Sequence, residues 1–432
     1  MEFIEVIILV LSFIIFLSLG VPIAYSIGLS SILTLLVSMP SMTVFTTVAQ
    51  RMGTGLDGFA LLAIPFFILA GQIMNQGGIA RRLIDFAKVM IGWLPGGIAH
   101  VNIIANMLFG AISGSAAAAA SAIGGAMHDR MVEEGIDPPV SAAINISSAT
   151  TGLIIPPSNT LIVYSLASGG VSIAALFVAG YIPGLMMGLA LMAVTSVLIT
   201  MSGLTTETRQ RINYALVTFW NAIPSLLLLI IVIGGIIAGI FTATEASAIA
   251  VIYTLFLAFI YGEISTKDLP NILLSAVGTT SIVMILIATS MAMSWVMAFE
   301  NIPQNVSEVL ISFSDNPFVI LLIINLMLLA VGVFMDMTPA VLIFTPIFLP
   351  VITKLGMDPI HFGIVMVMNL CIGLCTPPVG SVLFVGSAIA KQPISKIIGP
   401  LIPLFVAMVV VLMLVTYLST LSLWLPSFFG LI

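Results

Sequence analysis

The sequence predicts an all-α polytopic membrane protein, and three observations carry that prediction. Only 11 Lys and Arg and 17 Asp and Glu serve 432 residues, so 6% of the chain is charged, about a quarter of the share usual in soluble domains. Hydrophobic residues make up 60%, and the mean hydropathy is +1.28. Charge is missing from whole stretches, at 6–50, 89–128, 138–206, 212–244, 269–299, 359–390 and 397–432. Each is long enough to cross a hydrocarbon core of roughly 30 Å as a helix, and the longest suffices for more than one crossing. A soluble enzyme domain is excluded, because no globule covers itself with so few charges.

Taken in order, the chain opens with Glu2 and Glu5 and no basic cluster, which reads as a first membrane helix rather than a cleaved signal. Residues 77–88 carry Arg81, Arg82, Asp85 and Lys88 among apolar residues, the pattern of an amphipathic interfacial segment. The run 98–127 is too long for one comfortable span. Its centre, Gly110-Ala111-Ile112-Ser113-Gly114-Ser115, is small and polar, so a re-entrant hairpin is expected there. A polar loop at 129–137 follows.

Next comes a broken helix over 141–168. Its first arm, 141–155, would span roughly 22 Å and its second, 158–168, roughly 16 Å at 1.5 Å per residue, so the break falls near the bilayer centre. Pro156-Pro157 separates the arms. Proline lacks an N–H and clashes with the preceding turn, so the pair frees backbone carbonyls that need protein, water or an ion as partner. Glu207, Arg209 and Arg211 mark a polar connection, and segments from 223 to 261 read as uninterrupted scaffold helices. Within them Thr242-Ala243-Thr244-Glu245 has the spacing of a capping box. A second hairpin is expected over 318–353, with its tip at Gly332 to Pro339. A second broken helix is expected over 361–390, interrupted at Pro377-Pro378. Trp424, Phe428 and Phe429 suit an interfacial anchor.

These elements recur. Gly135-Ile136-Asp137-Pro138 matches Gly356-Met357-Asp358-Pro359, and the same offset carries Gly152-Leu153 onto Gly373-Leu374 and Pro156-Pro157 onto Pro377-Pro378. Ser115 precedes Pro156 by as many residues as Asp336 precedes Pro377. Matches on Gly, Asp and Pro fix backbone shape, whereas chance similarity between apolar stretches would match Leu, Ile and Val. The expected layout is therefore 1–97 as N-terminal scaffold, 98–201 as the transport elements of one repeat, 202–317 as linker and second scaffold, and 318–432 as the second repeat's transport elements with a C-terminal helix.

A hairpin tip facing a broken helix has a definite chemistry. Freed carbonyls and tip hydroxyls coordinate a bare cation, and half-helix N-termini favour a carboxylate. Sodium suits such neutral oxygen ligands better than a proton, which travels along buried titratable groups. Asp336 is alone in apolar flanks; an ion-binding or protonatable role and a simple N-cap both remain open. Other chemistries lack their residues. Cys371 and Cys375, four apart on an apolar run, suit packing better than metal or disulfide chemistry, and His100, His128 and His361 are scattered, so no transition metal or haem is expected. Ser113 has no basic partner that would make it a nucleophile. A net charge of −6 gives no basic stripe for nucleic acid.

The run Phe59-Ala60-Leu61-Leu62-Ala63-Ile64-Pro65-Phe66-Phe67-Ile68-Leu69-Ala70-Gly71, then Gly77-Gly78-Ile79-Ala80-Arg81-Arg82-Leu83, resembles the large membrane subunit of tripartite ATP-independent periplasmic (TRAP) transporters. So do Gly239-Ile240-Phe241-Thr242-Ala243-Thr244-Glu245-Ala246, where the family often has Pro in place of Ala243, and Met335-Asp336 with Pro346 and Pro350. The stretch from Ser147 to Asn159 resembles the broken helix of the wider ion transporter superfamily. The resemblance implies inverted repeats in an elevator-type fold and sodium-coupled import of an organic acid anion, with sialic acid and four-carbon dicarboxylates as leading candidates. It also implies a periplasmic substrate-binding protein, a small four-helix membrane subunit and a place in the bacterial inner membrane. Sodium, the coupling ion, takes the place of any cofactor, and no enzymatic activity is expected.

Carried over by position, the resemblance puts Ser113, Gly114 and Ser115 with Gly152, Pro156, Ser158 and Asn159 at one sodium site. Gly332, Asp336 and Thr338 with Gly373, Thr376, Pro377 and Val379 would make a second. Ser115, Asn159, Thr338 and Ser381 would meet substrate. The first break has Ser158-Asn159-Thr160 where the second has Val379-Gly380-Ser381, so backbone carbonyls must carry more of the second site. A passive channel or partner-independent exchanger is the rival reading, but a channel lines a continuous polar path, whereas the polar residues here gather at four central spots.

Overall fold

A computed structural model describes residues 4–92, 94, 96–201, 212–314 and 316–432. The expected connection at Glu207, Arg209 and Arg211 lies outside the described residues. The first part of the chain runs α1 (Ile4–Ser18), α2 (Ile23–Ser38), α3 (Ser41–Thr54), α4 (Ala63–Gln76) and α5 (Ile79–Ile91). It continues with α6 (Gly97–Ser113), α7 (Ala116–Glu133), α8 (Pro138–Thr151), α9 (Asn159–Ala167) and α10 (Ile173–Met201). The second part runs α11 (Ile212–Ile237), α12 (Ala243–Ile260), α13 (Leu269–Phe299), α14 (Ile302–Phe313) and α15 (Pro317–Phe334). It ends with α16 (Met337–Lys354), α17 (Pro359–Leu374), α18 (Ser381–Ala390), α19 (Ile394–Tyr417) and α20 (Thr420–Phe428). Among the described residues seven helices are long and apolar enough to cross a membrane.

Helix ends explain the recurrence. Gly135 and Gly356 have φ of 92° and 76°, left-handed values that glycine adopts without Cβ strain and that close a helix. The next amides complete the stop, Ile136 donating to Met131 O and Met357 to Ile352 O, both at 3.0 Å. Asp137 and Asp358 then take the N-cap positions, and Pro138 and Pro359 begin the following helices, where a missing N–H is harmless. Asp358 accepts from the Ile360 amide at 2.7 Å, while Asp137 makes no side-chain cap. The tetrad is thus a stop and restart, repeated where α7 meets α8 and where α16 meets α17. At the same offset α10 begins at Ile173 and α19 at Ile394.

The capping box also forms: Glu245 N donates to Thr242 Oγ1 at 3.2 Å, and Thr242 N to Glu245 Oε2 at 2.8 Å. Thr242→Ala should therefore destabilise the start of α12 by about 1 kcal/mol, checked as a lower unfolding temperature in detergent.

Two sets of helices stand out in the packing, joined to each other where α5 lies on α6 and α13 on α16. α4 lies against α12 and α13, and α13 also against α2 and α3. Their outer sides expose apolar stripes such as Ile252, Phe256 and Ile260, the inside-out pattern that lipid accepts. The second group surrounds α8 and α17, each buried along nearly its whole length. Uncharged polar side chains bond across these helices. Asn106 on α6 donates to Asn145 and Ser148 on α8 at 3.0 and 2.9 Å, and Asn369 on α17 donates to Asn325 on α15 at 2.7 Å. Such bonds join helices without the desolvation of a charge.

The inner groups of the two halves interlock. α16 packs on α9, and α18 on α7 and α8. The fully buried Tyr164 of α9 donates its phenol O–H to the Pro359 carbonyl at 2.5 Å. Small residues set the closest crossings: a Cβ built on Gly110 would lie 2.9 Å from Gly152 Cα, and one built on Gly332 would lie 2.9 Å from Gly373 Cα. Both free cysteines are buried. The histidines take structural bonds, His128 with Ser141 and His361 with Ser422. α5 is amphipathic, as its sequence predicts, burying Ile79, Leu83, Ile84 and Ala87 with Arg81 exposed. Arg82 stacks over the Tyr261 ring at 3.4 Å and donates to Gly78 O at 3.1 Å.

Candidate functional site

Both expected hairpin tips are breaks between helices. At the first, Gly114 ends α6 with φ 63°, its amide donating to Gly110 O at 2.9 Å. Ser115 then caps α7, its hydroxyl accepting from Ala118 N at 3.2 Å. At the second, Met335 closes α15 and Asp336 takes the N-cap position of α16 with no side-chain capping bond.

The proline-pair breaks fall between α8 and α9 and between α17 and α18. Their freed carbonyls find partners close by. Ser158 Oγ donates to Leu153 O at 2.6 Å, and Thr376 Oγ1 to Ile372 O at 2.7 Å. The Gly380 amide donates to Thr376 O at 3.1 Å.

A cavity of about 230 Å³ lies where these pieces meet. Ser113, Gly114 and Ser115 line it from the first tip, Asn159 and Thr160 from the start of α9, and Asp336 and Thr338 from the second tip. Three helix N-termini, those of α7, α9 and α16, therefore open onto one space, each carrying roughly half a positive charge. Asp336 faces it. Asn159 Oδ1 is buried without a hydrogen-bond partner among the described residues. A Cβ on Gly114 would come within 3.0 Å of Asn159 Cγ, so the bare backbone of Gly114 is what admits that amide.

The other residues expected at the sites do not line this cavity. Gly152, Pro156 and Ser158 are buried behind the first break, and Gly332 and Gly373 are buried at the second crossing. Thr376 and Pro377 are half-buried, while Val379 and Ser381 are exposed elsewhere. The first broken helix thus reaches the cavity and the second does not.

Sequence reasoning passed over Gln72 and Asn75 of α4 and Thr279 of α13, which line the cavity from the outer group. The available signal was the pair of uncharged amides three apart at the end of an apolar run, and the Gly278-Thr279-Thr280-Ser281 patch inside another. Gly71 brings α4 close: a Cβ there would lie 3.0 Å from Ser113 Cα. Among the residues lining the cavity there is no Lys, Arg or His.

A helical multi-pass protein whose two halves enclose a polar cavity between helix breaks belongs by architecture with membrane transporters. The fold matches the solved YdaH transporter of Alcanivorax borkumensis, with TM-score 0.64 at 11% identity and 89% of each chain covered. Residues 10–421 match the family described as Tripartite ATP-independent periplasmic transporter, DctM component, and the chain belongs to that family. Among its relatives, YgiK of Salmonella typhimurium is 56% identical, with 98% of each chain covered. The C4-dicarboxylate TRAP transporter large permease protein DctM of Pseudomonas aeruginosa is 39% identical, with 94% of each covered. The sialic acid TRAP transporter large permease protein SiaM of Vibrio cholerae is 36% identical, covering 95% of this chain and 96% of its own.

Proposed function

We propose that this chain is the large permease subunit of a sodium-coupled importer of organic acid anions in the bacterial inner membrane. A soluble periplasmic protein delivers the anion, and a small four-helix membrane subunit completes the complex. The observation that carries the reading is the cavity itself, where three helix N-termini, tip hydroxyls and the Asn159 amide face one space. Helix N-termini favour a carboxylate, and the neutral oxygens around them suit sodium. The names of the C4-dicarboxylate and sialic acid relatives support an organic acid as cargo.

The constant offset between the halves supports reading them as inverted repeats, each contributing a hairpin and a broken helix. The division into outer helices and an interlocked inner group supports an elevator motion of inner against outer. On this reading the layout is scaffold at 1–97 and 202–317 and transport elements at 98–201 and 318–432. The sodium ligands lie around the two breaks: Ser113, Gly114, Ser115, Gly152, Pro156, Ser158 and Asn159 at the first, Gly332, Asp336, Thr338, Gly373, Thr376, Pro377 and Val379 at the second. Ser115, Asn159, Thr338 and Ser381 meet substrate.

The test is uptake by proteoliposomes holding the two membrane subunits, with an inward sodium or choline gradient and with or without the binding protein. Uptake should require both sodium and the binding protein. Sodium-independent flux through this chain alone would replace the reading with a channel or a partner-independent exchanger. Thr376→Val removes a hydroxyl worth about 1–2 kcal/mol as a ligand, so half-saturating sodium should rise roughly 5- to 30-fold while the complex still assembles. Unchanged sodium dependence would remove Thr376 from the site.

A further inference from the structure

We infer that an apolar groove between α1, α14 and α15 holds one acyl chain of a bilayer phospholipid, which the protein keeps as a fixed component. This site is independent of the cargo and the coupling ion proposed above. The groove has a volume of about 440 Å³. Val6 of α1, Ile302, Val306 and Leu310 of α14, and Ile323 and Met327 of α15 form its walls. Among the described residues lining it, only Asn305 is polar and none is charged.

Its position in the membrane follows from the helices that form it. α14 joins α13 to α15, both long and apolar enough to span, so it lies at the membrane face where the first ends and the second begins. It has the amphipathic character such a place requires, with Gln304 and Glu308 exposed and Ile302 and Leu310 buried. Met327 lies about 15 Å along α15 from Pro317, half the thickness of a hydrocarbon core of roughly 30 Å. The groove therefore starts at headgroup level and reaches the depth of one leaflet. Ile7, Leu322 and Leu326 beside it are exposed, which makes its mouth continuous with the surface that faces lipid tails.

Width and chemistry select the occupant. Spread over that depth, the volume gives a cross-section of about 30 Å², less than half that of a helix about 10 Å across. A helix of a partner protein does not enter. Ordered water needs two to four polar groups, and one amide is present. A hydrocarbon chain needs no hydrogen bond, arrives from the adjoining leaflet, and restores the dispersion contacts that an empty groove would forfeit. It fills the seam that α15, a transport element on the reading above, shares with α1 of the scaffold.

Native mass spectrometry of the purified membrane complex, washed in detergent until bulk lipid is gone, should find phospholipid still bound. Val306→Trp, whose indole occupies the groove, should retain one molecule fewer per complex. Leu326→Trp, on the exposed face beside it, should keep the wild-type number. Phosphatidylcholine with a diazirine midway along one chain gives a second measurement: irradiated after the same wash, it should label residues within 302–310 and 323–327. Ile323→Phe fills the groove from the opposite wall and should lower that labelling roughly fivefold or more, as an overpacked wall resists the chain.

Equal phospholipid numbers in the wild type and both filling variants would overturn the inference, as would label spread evenly over the exposed residues of α15. A Val309→p-benzoylphenylalanine chain that captures the small subunit instead of phospholipid would also overturn it, giving the groove to a protein partner.

Discussion

Oxidation of a chain carrying Gly71→Cys and Ser113→Cys should abolish the uptake that this double variant retains, and reduction should return it to its pre-oxidation level. Gly71 sits on α4, in the outer helix group, and Ser113 at the first tip, in the inner group. A Cβ on Gly71 would lie 3.0 Å from Ser113 Cα and 3.3 Å from Ser113 O, close enough for the roughly 3.5–4.5 Å Cβ separation of a disulfide after a small adjustment. The native cysteines, Cys371 and Cys375, are free and buried and would be replaced by alanine so that only the introduced pair reports. If transport moves the inner group past α4, the bond holds one orientation, and the reference is the uptake of the same double variant before oxidation, lowered as that is by the lost Ser113 hydroxyl and the crowded position 71. A fully crosslinked protein that still transports would show that α4 and the tip stay together. The elevator would then give way to a local gate around a fixed site.

Gly373→Val should lower the stability of the inner group. Its Cβ would fall 2.5 Å from Gly332 Cα and 2.6 Å from the Gly332 carbonyl carbon. What it meets is backbone, which cannot rotate out of the way as a side chain would. Overpacking of this kind costs about 1–3 kcal/mol, and the crossing of α15 with α17 would have to widen, carrying the second tip with it. Gly399→Ala makes the contrast. Nothing lies within 4 Å of a Cβ there, and alanine in a helix gains about 0.5–1 kcal/mol over glycine. Thermal unfolding in detergent should therefore fall for the first variant and hold or rise for the second. Equal unfolding temperatures would mean that the two helices do not cross at these glycines.

What the sequence made legible was punctuation. Gly135 and Gly356, Asp137 and Asp358, and the two proline pairs act on the backbone locally, so their meaning survives without knowledge of the neighbours. The Thr242 and Glu245 cap is equally local. The helices between these marks could be anticipated because an apolar run has few alternatives in lipid. Gln72, Asn75 and Thr279 were not legible, because an uncharged polar residue on a spanning helix faces a cavity, a neighbour or a bonded carbonyl according to packing alone. The unequal breaks were harder still. Asn159 reaches the cavity while Val379 and Ser381 do not, a difference set by how the halves dock.

The bond from Tyr164 to the Pro359 carbonyl bears on how the protein yields under load. To slide the inner helices of one half past those of the other would leave a phenol unpaired in an apolar interior, a loss of about 1–3 kcal/mol. The ring would also have to leave its bed against Gly363. No such latch is needed between α4 and the first tip, where the contact is backbone against backbone. If transport proceeds by the proposed elevator, the cost of breaking this bond argues that the duplicated halves would travel together, as a single carriage, instead of sliding past each other.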